Sequence, residues 1–199
     1  MTFTRRVLET GTAAGKQRKK INENFEELFR PKHLTATNVG GSSQSIANST
    51  WTTVLTPTVA FNTTTISQNA GVWSFPVGEG NDGDNVWNCT ACVAWDNTLA
   101  SLQKHQRKVR VLLTRSGVEE VLATKDYLFD PAFGVSGEMA KGHHQVYSQI
   151  FFSPEYIGAT IRMQVWHNAK VGGSPVSINL VSDLLAAPSF RLCYCGPYS

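Results

Sequence analysis

Long apolar runs are missing from this chain of 199 residues. No stretch approaches the roughly 18 consecutive apolar residues of a membrane-spanning helix, so no membrane insertion is expected. The N-terminus has Arg5 and Arg6 but no apolar segment behind them, which argues against a signal peptide. The Asn-x-Ser/Thr matches at Asn48, Asn62 and Asn88 therefore carry little weight. Charge is sparse, at 17% of residues. Hydrophobic residues make up 41%, enough to bury a core, which argues against a disordered chain. Segments with a helical period are lacking after residue 32. Also lacking is a His beside a Ser, Cys or Asp in a nucleophile setting, so no catalytic residue, cofactor or enzyme activity is expected.

What charge there is lies unevenly. Residues 1–32 hold eight Lys/Arg against four Glu, a net +4, while the remainder holds ten against eleven, a net −1. Ile21, Phe25, Leu28 and Phe29 recur at i, i+4, i+7 and i+8, which places four large apolar groups on one helix face. Thr12 can cap this helix and Pro31 ends it. Lys16, Arg18, Lys19 and Lys20 precede Glu23, Glu26 and Glu27, against the preference of the helix dipole. That order fits either a solvated basic face or cations that meet an acidic partner surface. A nucleic-acid partner is not expected, because stacking aromatics are not interleaved with the basic residues.

Residues 33–43 are rich in Thr, Ser, Asn and Gly and read as a linker. From residue 44 the texture is that of short strands separated by turn residues. Strands are expected near 44–54, 58–66, 72–77, 86–95, 107–115, 119–124, 143–152, 158–167, 176–182 and 189–195. In 86–95, Val86, Asn88, Thr90, Cys92 and Ala94 alternate with Trp87, Cys89, Ala91, Val93 and Trp95. Many short antiparallel strands in about 155 residues imply a sandwich or jelly roll. An immunoglobulin-like sandwich would want a Cys–Trp–Cys spacing that the chain lacks. The expected organisation is an anchor over 1–32, a linker over 33–43 and a knob domain over 44–199.

Candidate sites are few. Cys89 and Cys92 fall on opposite faces of a regular strand, and Cys193 and Cys195 lie in a strand rather than a knuckle. Buried free thiols are therefore expected in place of a zinc site. The acidic loop 79–85 lacks the spacing of a calcium loop and reads as a solvated turn. Most of Trp51, Trp73, Trp87, Trp95 and Trp166 are expected to fill the core. Tyr127, Phe129 and Phe133 are assigned to a long irregular loop, 125–142, and become the candidate receptor-binding residues.

Two resemblances sharpen this reading. Thr10 to Phe29, "TGTAAGKQRKKINENFEELF", resembles a segment recurrent near the start of tailed-bacteriophage fibre and appendage proteins. Lys20, Ile21, Asn22, Asn24, Phe25, Glu27 and Leu28 match its Lys-Ile-Asn-x-Asn-Phe-x-Glu-Leu ending. The match makes Lys20, Ile21, Asn22, Asn24, Phe25, Leu28 and Phe29 the expected virion-anchor residues. The strands "SIANSTWTTV", "VWNCTACVAW", "KVRVLLTR", "HHQVYSQIFFSPEYIGATIRMQVWHNA" and "SFRLCYC" resemble in order those of the trimeric jelly roll of the complement and tumour-necrosis-factor superfamily. Together they imply a mainly β protein: an N-terminal helix plus an antiparallel jelly-roll β-sandwich, assembled as a homotrimer. The implied role is a bacteriophage structural protein, a short tail-fibre or tail-associated appendage located in the virion. It would join tail, portal-adaptor or capsid proteins through residues 1–32 and meet a host surface glycan or protein. Assembly in a reducing cytoplasm argues against a disulfide. A head fibre or capsid decoration protein would share this build. A soluble carbohydrate- or protein-binding jelly-roll module is the alternative from another class.

Overall fold

The computed structural model describes Ile21 and residues 32–38, 41–56, 58–75, 85–96, 98–99, 101–131, 142–152, 158–182 and 187–197. Among these residues fifteen strands form. They are β1 (His33–Thr37), β2 (Gln44–Ile46), β3 (Thr52–Thr53), β4 (Thr58–Asn62), β5 (Ser67–Asn69), β6 (Val72–Ser74), β7 (Asn85–Trp95) and β8 (His105–Arg115). Then follow β9 (Val118–Phe129), β10 (Gly142–Phe152), β11 (Thr160–His167), β12 (Lys170–Val171), β13 (Ser174–Pro175), β14 (Ile178–Leu180) and β15 (Ser189–Pro197).

Two sheets face each other. The seven-stranded sheet runs β2-β14-β7-β15-β1-β4, with β10 also paired to β7. The six-stranded sheet runs β5-β6-β11-β8-β9, with β3 paired to β11. The pairings are antiparallel, and the first and last strands, β1 and β15, lie side by side from His33↔Cys193 to Thr37↔Ser189. Neighbours so distant in sequence require connections that cross between sheets, the hallmark of a jelly roll.

The period-2 pattern decides which face of each strand is buried. On β7, Trp87, Cys89, Ala91, Val93 and Trp95 are all buried, while Val86, Asn88, Thr90 and Cys92 are partly exposed. On β11, Ile161, Met163, Val165 and His167 point inward; Arg162 and Trp166 lie half-buried on the other face. The inward rings lock the sheets together. Trp73 on β6 stacks on Phe190 of β15 at 6.0 Å, and His167 on β11 meets Trp95 of β7 edge-on at 5.6 Å. The turn between β5 and β6 needs Gly71, at φ 79°. A Cβ there would sit 2.2 Å from the Val54 carbonyl oxygen.

Three expectations are corrected. Residues 33–43 are not a linker at their start: His33–Thr37 is a strand held between β15 and β4, with Leu34 and Ala36 fully buried. Thr alternating with small apolar residues is strand chemistry as much as loop chemistry. Farther along, the buried Asn38 donates its amide to the Ser42 carbonyl at 3.1 Å. Tyr127 and Phe129 lie in β9, not in a loop. Cys193 and Cys195 are exposed free thiols, not buried ones. Of the expected virion-anchor residues, Ile21 alone is described; it is helical and 40% exposed. Lys20, Asn22, Asn24, Phe25, Leu28 and Phe29 lie outside the described residues, as do Phe133 and residues 79–84.

Candidate functional site

Tyr127 and Phe129 close the sandwich rather than reach outward. The edge strands β9 and β10 belong to opposite sheets and meet at one side of the molecule. Tyr127 bridges them: its hydroxyl donates to the Gln145 carbonyl at 2.6 Å and accepts from the Gln145 amide at 2.9 Å. Its ring stacks on His144 of β10 at 3.7 Å between centroids. One hydroxyl thus satisfies both main-chain groups of an edge residue, which blunts that edge against stray pairing. Beside this bridge lies a groove of about 450 Å³ lined by Ala123, Thr124, Lys125, Gln145, Val146 and Tyr147.

Behind the bridge sits a buried polar cluster that the sequence reading did not anticipate. Arg107 of β8 is 1% exposed. Its guanidinium lies 4.4 Å from the Phe129 ring centre and 5.2 Å from that of Trp95. Its Nε donates to His105 Nε2 at 2.9 Å, while one terminal nitrogen, Nη2, has no hydrogen-bond partner. His105 Nδ1 in turn faces the Gln103 carbonyl at 2.8 Å, which sets it as the donor and leaves the ring neutral. His167 is bracketed likewise, between the Ile46 carbonyl at 2.9 Å and the Ala169 amide at 3.2 Å. The Trp95 indole donates to His144 Nδ1 at 3.0 Å. Burial lowers the Arg107 pKa to about 9, still cationic at neutral pH, and holds His105 down to about 4. These imidazoles are spent on structural hydrogen bonds, and among the described residues no nucleophile is hydrogen-bonded to them.

The thiols divide by face. Cys89 is buried, and burial pushes its pKa upward, as it does for Cys92 and Cys193. Raised thiols are poor nucleophiles and poor metal ligands. Among the described residues no group of three or more His, Cys, Asp or Glu side chains is placed to hold a metal ion.

The two outward faces differ in charge. The seven-stranded sheet contains one Asp, Glu, Lys or Arg side chain in all its strands, Arg191. The six-stranded sheet contains nine, four on β8, four on β9 and one on β11. This sparsely charged face also exposes large aromatic rings among neutral polar side chains such as Gln145 and Gln149. Tyr147 and Phe151 of β10 are each 53% exposed, and at the opposite edge Phe61 of β4, 48% exposed, stacks on His33 at 4.2 Å. Exposed Cys193 and Cys195 lie on the central strand β15. Sequence reasoning missed this face because it weighed charge along the chain and not strand by strand.

No family model matches the chain, and no curated protein matches it. Solved structures do. That of murine APRIL at pH 5.0 superposes with a TM-score of 0.54 at 10% identity, covering 82% of this chain and 99% of that one. Eiger TNF from S. frugiperda gives 0.51 at 8% identity, over 85% and 96%. Identities this low show a shared fold, and the sandwich is a jelly roll of the tumour-necrosis-factor type.

Proposed function

We propose that this protein is a bacteriophage structural protein, a short tail-fibre or tail-associated appendage whose jelly roll forms a homotrimeric knob. Residues 1–32 anchor the knob to other virion proteins. The observation that carries the assembly is the outer face of the seven-stranded sheet, which bears exposed aromatic rings and a single charge, Arg191. Interface cores are depleted of charged residues and enriched in aromatics, and a patch of this kind left bare on a monomer invites association. Closed three-fold packing would bury it without leaving an open end. The role is structural and recognitional, not enzymatic.

The anchor reading rests on the phage-like segment Thr10 to Phe29. Burying Ile21, Phe25, Leu28 and Phe29 against a docking partner contributes roughly 1.5–3 kcal/mol each before ordering costs. Three anchors joined in one knob add avidity. Phe25→Asp is expected to leave the knob folded by circular dichroism while purified particles lack the protein. Normal incorporation of that variant would refute the anchor.

A further inference from the structure

The outer face of the six-stranded sheet carries a built aromatic and cationic surface. Trp51, just before β3, and Trp166 of β11 are half-buried, with ring centres 6.5 Å apart. The Arg110 guanidinium carbon lies over the Trp51 ring, 3.8 Å from its centre. Two of its nitrogens, Nε and Nη2, donate to the same Gln164 oxygen at 3.0 and 2.8 Å. Gln164 also reaches Thr53 Oγ1 at 3.4 Å, so the platform is braced from β3 through β11 to β8. Farther along the same face of β8, Leu112, opposite Arg162, is 1% exposed.

The charges on the platform are not equivalent. Lys108, 5.4 Å from the Trp166 ring centre, is paired with Asp126 at 3.1 Å. Arg162 is paired with Glu119. Arg110 makes no direct ion pair among the described residues, although the Glu119 carboxylate acts on it through space, and its remaining nitrogen, Nη1, makes no hydrogen bond there. Three cations against two carboxylates leave this face a net positive charge, and Arg110 is the cation without a direct ion pair, fixed in orientation by Gln164.

We infer that this face, centred on Trp51, Trp166 and Arg110, binds an acidic saccharide carrying one carboxylate per sugar ring. The carboxylate accepts hydrogen bonds from Arg110, and the C–H face of the pyranose packs on an indole, whose π surface attracts polarised C–H and cationic groups alike. Charge density selects the ligand class. Asp126 and Glu119 flank the platform and oppose a densely charged polyanion such as nucleic acid, whereas one isolated carboxylate matches one unpaired cation. Pre-formed side-chain packing lowers the ordering cost of binding. The inference rests on the attachment reading only for the ligand's source, a host surface, and for exposure of this face once the opposite sheet is buried.

The test uses the full chain, titrated with α-1,4-tetragalacturonic acid and, as the uncharged control, its methyl ester. Two-dimensional NMR of the indole N–H groups is the readout, because Trp73, Trp87 and Trp95 are buried and report on unfolding rather than contact. Saturable shifts of the Trp51 and Trp166 signals are expected, with a dissociation constant of about 1 mM or tighter. The ester should bind about tenfold more weakly, and Arg110→Gln should weaken the acid about tenfold while leaving the ester unchanged. Trp166→Ala should weaken both; Trp166→Phe, which keeps an aromatic face, serves if the alanine variant fails to fold. No shifts up to about 10 mM, equal binding of acid and ester, or indifference to Arg110→Gln would each overturn the inference and leave a sheet face covered by its own side chains. A protein that binds the tetramer yet is absent from virions would refute the attachment reading and leave this surface standing.

Discussion

Arg107 is a cation inside a β-sandwich with no carboxylate paired to it among the described residues, and its neighbours decide how it is tolerated. Desolvating such a charge is expensive. The compensation is a hydrogen bond to a neutral imidazole and the faces of two rings, Phe129 and Trp95. Neutrality of His105 is therefore a condition of the arrangement. Burial lowers both His105 and His167, whereas the unfolded chain takes up protons near pH 6.5. The folded state binds fewer protons across that interval, so its stability is full above about pH 6.5 and falls as pH drops toward about 4. His105 contributes to that loss because burial disfavours its charged form. Urea unfolding at a series of pH values is expected to show the decline. His105→Gln, which keeps an acceptor for Arg107, should flatten it; an unchanged slope would mean that other groups carry the acid sensitivity.

At the scale of elements, strands built on long alternation were legible from the residues. Trp87 to Trp95 and Ile161 to His167 sort to their faces as their spacing requires. Two elements were misread for one physical reason: local composition was allowed to outweigh period. His33–Thr37 has the small polar residues of a linker, yet Leu34 and Ala36 alternate with them and fill the core. In β9, Tyr127 and Phe129 keep strict alternation with the outward Asp126 and Leu128, the latter 60% exposed. The aromatic pair therefore belonged to a strand, and its place on an edge turned it inward. The bridge from Tyr127 to Gln145 could not be read from sequence, because it joins strands of different sheets. If β1 is a core strand, Leu34→Ala should cost about 2–4 kcal/mol in chemical unfolding. A linker residue would cost almost nothing, and that outcome would contradict the strand assignment.

For the whole molecule the governing feature is an asymmetry between two sheets of one sandwich. One presents Tyr147, Phe151, Phe61 and two thiols with a single Arg, and the other presents ion pairs and cation–π contacts. A water-soluble monomer has no use for the first kind of face, whereas an oligomer buries it and turns the second outward. The asymmetry was present in the sequence, since β7, β10 and β15 can be seen to lack Asp, Glu and Lys. It became visible as a surface only once topology placed those strands in the same sheet. The most direct measurement is the solution mass of the full chain by light scattering, beside the double variant Tyr147→Glu/Phe151→Glu. The account predicts three times the 21.8 kDa chain mass for the natural sequence and a folded monomer for the variant, whose buried carboxylates would go unpaired. A monomer in both cases, or a trimer indifferent to the two glutamates, would contradict it.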